Sequence, residues 1–245
     1  MWLFIVIDDS VEIFGENEMD YGTLIGNSFA YVKEGVIDKV NKWLLLIIAT
    51  LIFCIPLMGY IMSIYRGTTP APEVENWGKL IVDGILLLIV GVIYAIPVII
   101  LEFLTIGVAI ATMKNSPTGM MTAMAGAGIL GILLVIVAII IWIISPIGII
   151  RFARTGKFGE AFNFNEILAT IKKIGWLSYT LALIIVAIVV GIPSLILWAI
   201  CAALIIALPL VGLVVACIIF LIVVPILAIF EARYLTQVYE SAGIV

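Results

Sequence analysis

Long apolar runs broken by short charged clusters dominate the chain. From Ile174 to Phe230 no residue is charged. As a single helix rising 1.5 Å per residue, that stretch would be about 85 Å long, against a hydrocarbon core of about 30 Å. It must fold back on itself, which predicts spans at about 176–198 and 208–230. Three further apolar runs, at about 43–65, 80–112 and 128–150, predict three more. The expected architecture is therefore an all-α, polytopic transmembrane helix bundle with five long spans.

Two mixed segments precede spans. Ser28–Lys42 sets Phe29, Tyr31, Val36, Ile37 and Val40 against Lys33, Glu34, Asp38, Lys39 and Lys42. Residues 160–173 set Phe162, Phe164, Ile167, Leu168 and Ile171 against Glu160, Glu166, Lys172 and Lys173. Both patterns predict amphipathic helices lying in the membrane interface. Each leads through a tryptophan, Trp43 or Trp176, into a span. Phe29, Tyr31, Lys39 and Trp43 align with Phe162, Phe164, Lys172 and Trp176 at a constant offset. That weak repeat is consistent with two related halves or with convergence of interfacial helices.

The remaining segments are connections. Thr68-Thr69-Pro70-Ala71-Pro72-Glu73 cannot continue a helix, because each proline lacks an amide donor and pushes its predecessor to an extended conformation. Lys114–Gly119 reads as a turn. The stretch 81–113 is long for one upright span and short for two. With Tyr94-Ala-Ile-Pro97 at its centre it is kinked, or it turns back and gives six spans. Residues 1–27 form an acidic extension, residues 28–240 the transmembrane domain and residues 241–245 a short tail. The apolar start, Met1 to Ile7, lacks a basic flank and meets Asp8-Asp9 at once, so it reads as a strand or surface anchor rather than a secretory signal.

Composition supports the class: 65% of residues are hydrophobic and 11% charged, against about 45–50% and about 25% in soluble domains. Charge suggests an orientation. With five spans the positive-inside rule groups Arg66, Lys79, Arg151, Arg154, Lys157, Lys172, Lys173 and Arg233 in the cytoplasm. Lys33, Lys39, Lys42 and Lys114 are then outside, as is the acidic N-terminal extension. A six-span arrangement segregates the bases slightly better, while length favours five. Multi-pass insertion in the cell membrane is the expected location.

Candidate chemistry is sparse. Ionisable residues at membrane depth are functional candidates by default, and two qualify: Glu102, within Val-Ile-Ile-Leu-Glu102-Phe-Leu-Thr-Ile, and Asp83, one turn into the second span. Each has a bland interfacial reading. For Glu102 the sharper one is a buried carboxylate that binds a proton or cation. Cys54, Cys201 and Cys217 lie in apolar runs without metal-like spacing and read as small hydrophobes. The chain has no histidine and a net charge of −4, so no Ser/His pair, zinc helix, phosphate loop or nucleic-acid-binding surface is indicated. No catalytic residue, metal ligand or cofactor site is expected. Ala123, Ala127 and Gly131 recur every four residues, a small-residue pattern that suits close helix packing or an oligomer interface. Pro56, Pro97, Pro146, Pro193, Pro209 and Pro225 fall within spans, where they loosen helices.

One run of residues has a family likeness. Trp43, Pro56, Gly59-Tyr60, Arg66, the proline-rich loop and Trp77-Gly-Lys-Leu-Ile-Val-Asp83-Gly84 resemble an uncharacterised prokaryotic membrane family, common in archaea and known as a domain of unknown function. Tyr94-x-x-Pro97 and Arg151-Phe-Ala-Arg154-x-Gly-x-x-Gly159-x-Ala161-Phe162 extend the likeness over roughly residues 27–240. It implies a multi-pass membrane domain and brings no activity, substrate or catalytic residue. The expected function is that of a non-enzymatic membrane component or scaffold acting through a membrane protein partner or homo-oligomer within the bilayer. The alternative is a small permease or ion pathway using Glu102 and Asp83.

Overall fold

The computed structural model describes residues 19–113 and 117–243. The expectations for Met1–Ile7, for most of the acidic extension and for the turn at 114–116 lie outside the described residues, as do the side chains of Ala123 and Ala127. Among the described residues the regular structure is all helical, without strands. In chain order the helices are α1 (Tyr21–Val32), α2 (Val40–Leu51), α3 (Ile55–Tyr65), α4 (Trp77–Met113), α5 (Pro117–Thr155), α6 (Phe164–Ile174), α7 (Trp176–Ala207) and α8 (Pro209–Glu240). A π-helical turn, Lys33–Ile37, follows α1, and a 3₁₀ turn, Phe158–Phe162, precedes α6.

Four helices are long and apolar enough to cross a membrane: Trp77–Val108, Gly128–Thr155, Trp176–Ala207 and Pro209–Glu240. They mark the chain as a membrane protein. α4 is continuous through Pro97, so residues 81–113 do not turn back and the six-span alternative is excluded. Pro146, Pro193 and Pro225 likewise sit inside unbroken helices. Pro209 opens α8, where a missing amide donor costs nothing. α7 and α8 form a tight antiparallel pair joined at Leu208, and a Cβ on Gly212 would collide with the Leu204 carbonyl.

The run 43–65 is not one span. It breaks at Ile52–Cys54 into α2 and α3, of 12 and 11 residues. These are about 18 and 16 Å long, each short of a ~30 Å core. Pro56 is the local cause: inside a continuous helix its ring would clash with the Ile52 carbonyl, whereas at the start of α3 it needs no donor. Phe53 and Cys54 take left-handed φ values of 52° and 59°, and the chain reverses there. Contacts with α8 give the directions. Trp43 Nε1 donates to the Ile222 carbonyl (3.4 Å), while Thr236 Oγ1, twenty-one ångströms or so further along α8 at 1.5 Å per residue, reaches the Ile64 carbonyl (3.4 Å). Thr50 and Leu51 face Leu213, Cys217 and Phe220, so α2 runs against α8 and α3 runs back along it. The tip is apolar and open, with Phe53 90% exposed.

α3 is clamped to α4. A Cβ on Gly59 would fall on the Leu80 carbonyl, and a Cβ on Gly84 would fall on the Ile55 carbonyl. The two glycines thus let each helix rest its backbone on the other. Tyr60, fully buried, donates to the Pro72 carbonyl at 3.0 Å and fixes the proline-rich loop.

The segment Ser28–Lys42 also departs from expectation. α1 packs along the last turns of α8, with Phe29 4.7 Å from Phe230 and Gln237 Nε2 donating to Ser28 Oγ at 2.8 Å. It is not one helix with the residues up to Lys42, because the π-helical turn and a break at Asp38–Lys39 intervene. The two halves of the weak repeat therefore differ: Trp43 lies in a short reversing helix and Trp176 opens a 32-residue one.

The reversal relocates charge. Lys39 and Lys42 both reach Glu73 Oε1 at 3.0 Å, so they share an end of the molecule with Arg66, contrary to the five-span arrangement. α1 and the end of α8 lie there too, which places Tyr21 and Glu240 on one side.

Two outcomes are expected. Gly59→Ala or Gly84→Ala lowers stability by about 1–3 kcal/mol through overpacking, whereas Gly91→Ala, with open space around it, is neutral or better; unfolding in detergent measures both. Single cysteines at Lys33, Lys79 and Ser241 react with an impermeant maleimide from the same side of sealed vesicles. Labelling of Lys33 from the opposite side would restore a crossing through residues 43–65.

Candidate functional site

The densest polar chemistry is the cap at the end where α3, α5 and α8 finish and α4 and α7 begin. Arg66 is the residue that ends α3, and its Nη1 donates to Asp83 Oδ2 at 2.6 Å. Asp83 is buried beside Gly84 in the α3–α4 seam. In place of the interfacial reading, Asp83 has a partner within the chain. Arg154, in the last turn of α5, donates through Nε to the Tyr65 carbonyl at 2.8 Å, pairs with Glu240 and lies 5.7 Å from the Tyr239 ring. Arg233 of α8 sits 5.3 Å from the Tyr31 ring and 3.9 Å from the same Glu240. Arg151 holds Glu160 at 2.6 Å and Glu166 at 3.6 Å, tying α5 to the 3₁₀ turn and α6.

Hydrogen bonds from Lys39 and then Lys42 hold the Glu73 carboxyl below the usual carboxylate range. Those from Arg151 and Asn163 do the same for Glu160. A lowered carboxyl contributes stability above its ordinary range and loses it as pH falls through the lowered value, so both ties hold at neutral pH and release in acid. Burial pushes the Tyr31 hydroxyl up to about 12 despite the nearby guanidinium, and that hydroxyl donates to the Thr68 carbonyl at 2.9 Å.

Glu102 lies elsewhere. It is exposed on the outer face of α4 between Leu101 and Phe103, and Phe103 is 72% exposed. Asp83 and Glu102 are nineteen positions apart on one continuous helix, about 28 Å along it, so the fold does not bring the two candidate carboxylates together. Among the described residues, no hydrogen bond or ion pair reaches Glu102.

Two of the cysteines, Cys201 and Cys217, border one cavity. Cys201 is buried with Sγ 3.8 Å from the Ala216 carbonyl. It faces an apolar cavity of about 350 Å³ bordered by Thr50, Leu197, Trp198 and Phe220, between the α7–α8 pair and the tip of α2. Among the described residues, no three His, Cys, Asp or Glu side chains converge as metal ligands do. The four arginines of the cap are engaged with Asp83, Glu160, Glu166 and Glu240, an arrangement that holds helices together.

Sequence reasoning missed Arg66, Arg154, Arg233 and Glu240 as a connected group. The available signal was Arg66 and Asp83 framing the proline-rich loop, since a charge placed one turn into an apolar helix needs a partner.

Residues 43–202 match the family described as "Protein of unknown function (DUF4013)", and the chain belongs to that family. The match begins at Trp43 and takes in the α3–α4 seam, leaving α1 and α8 outside it. No curated protein and no solved structure matches the chain.

Asp83→Asn is expected to cost about 1–3 kcal/mol by leaving a half-buried guanidinium unpaired. The double change Arg66→Gln with Asp83→Asn should recover part of that loss. Glu102→Gln should stay within about 0.5 kcal/mol of the parent. Unfolding midpoints in one detergent rank the three.

Proposed function

We propose that this DUF4013 protein is a non-enzymatic membrane component that works through a partner, with the cap as its contact surface. The observation that carries the reading is the use of the cap's charges. Arg66, Arg151, Arg154 and Arg233 link elements of this chain to one another. Such groups set the shape of a surface and are not left over for turnover.

Orientation follows from the chain reversal at Ile52–Cys54. Every described base, from Lys33 to Arg233, lies at the capped end, while the Ile52–Cys54 reversal and the Leu208 connection lie away from it. The positive-inside rule then puts the cap, with α1 and the end of α8, in the cytoplasm. A cell-membrane location and a cytoplasmic partner, either another membrane protein or a second copy, complete the proposal.

The permease reading draws less support. It needs Glu102 and Asp83 on a common path, yet one is exposed among apolar neighbours and the other is neutralised by Arg66.

Photo-crosslinkers at Glu75 and Lys79, exposed in the cap, should capture one partner in stoichiometric yield from intact membranes. The same probe at Ile100, on the outer face of α4, should capture lipid alone. A monodisperse monomer with no crosslink from any cap position, or solute flux in vesicles that Glu102→Gln abolishes, would overturn the proposal.

A further inference from the structure

α6 has two faces of different character. Ile167, Thr170, Ile171 and Ile174 are buried, with the Ile167 side chain packed at Gly148 of α5. The opposite face is open. Phe164 is 50% and Leu168 43% exposed, and Lys172 continues the same stripe four residues on, since positions i, i+4 and i+8 share a helix face. Lys173 is exposed beside it.

The start of α7 fixes the depth of this stripe. Gly175, at φ 95°, ends α6, and Trp176 opens α7, one of the four helices able to cross a membrane. Trp176 and Leu177 are 49% and 75% exposed. The lysines therefore sit where a spanning helix meets the headgroup region, beside a tryptophan of the kind that favours that level.

Charge is uncompensated there. Arg151 already holds Glu160 and Glu166, the acids of this segment. Among the described residues, Lys157, Lys172 and Lys173 have no ion-pair partner.

We infer that the outer face of α6 binds the headgroup of an anionic phospholipid, with Lys172 and Lys173 on the phosphate and Phe164, Leu168 and Trp176 against the acyl chains. The chemistry is that of an interfacial helix: apolar side chains enter the boundary while cations meet the negative leaflet, which is the cytoplasmic one. The lysines also favour the C-terminal dipole of α6, but that role is indifferent to the surrounding lipid. The inference needs the capped end to lie at a membrane surface and does not need a protein partner.

The test uses the purified full-length chain, delipidated in detergent and titrated with phosphatidylglycerol or phosphatidylcholine, with bound lipid read by native mass spectrometry. The parent should prefer phosphatidylglycerol. Lys172→Gln with Lys173→Gln should weaken that binding about 25-fold, near five-fold per lysine, and leave phosphatidylcholine unchanged. The paired change to arginine should restore it, which separates charge recognition from folding damage. Phe164→Ser with Leu168→Ser should weaken both lipids alike. Three results would overturn the inference: no preference in the parent; an equal loss from Lys33→Gln, an exposed lysine on another element; or complete competition by inorganic phosphate, which would indicate a free-anion site. Partner crosslinking failing while the lipid preference stands would refute the proposed function alone.

Discussion

The seam between α3 and α4 is the constraint on which the rest of the structure depends. Gly59 and Gly84 each admit the other helix's carbonyl, so the two backbones approach more closely than any pair of side-chain-bearing residues would permit. In an apolar solvent there is no hydrophobic gain from bringing helices together, and close packing takes its place. Arg66 and Asp83 close the open end of the seam with a short ion pair. Tyr60 then fixes the proline-rich loop that joins the two helices. Gly59-Tyr60, Arg66 and Asp83-Gly84 thereby act as one unit.

Once α3 is committed to α4, α2 must approach from the same side. The eleven residues of α3 are too few to cross a bilayer, and Pro56 sets where they begin. The left-handed backbone at Phe53 and Cys54 turns the chain, so Lys33, Lys39 and Lys42 return to the face that holds Arg66. The cap then assembles from segments distant in sequence: Arg154 with Glu240, Arg233 with Tyr31, Lys42 with the Ala71 carbonyl at 3.0 Å. An asymmetry of charge that looked imperfect in a five-span arrangement becomes sharper among the described residues, with four long helices and one reversing pair.

Much of this was legible in the chain. Four of the five apolar runs are single helices near the expected places, because a long charge-free run in lipid has only the helix with which to satisfy its backbone. The break after Thr68 was equally legible, since two prolines cannot donate. The run at 43–65 misled because hydropathy counts apolar residues without registering direction: Pro56 read as a loosened helix, whereas it opens a second one. The segment around Lys33 misled for a related reason. Its mixed pattern fits an interfacial helix, but two of its aromatic residues, Phe29 and Tyr31, pack against Phe230 and Arg233 of α8.

The sequence by itself determined the solvent of this protein, its helical class, the positions of its long spans and the scarcity of ionisable groups within them. Those properties depend on composition along a single segment, where apolar length and backbone hydrogen bonding leave few options. Tertiary structure alone decided that Asp83 is a structural partner of Arg66, that Glu102 faces outward, and that the described basic residues gather at one end. Each of these depends on which way a helix runs and which neighbour it meets, and a carboxylate has the same sequence context whether its partner is water, lipid or a guanidinium.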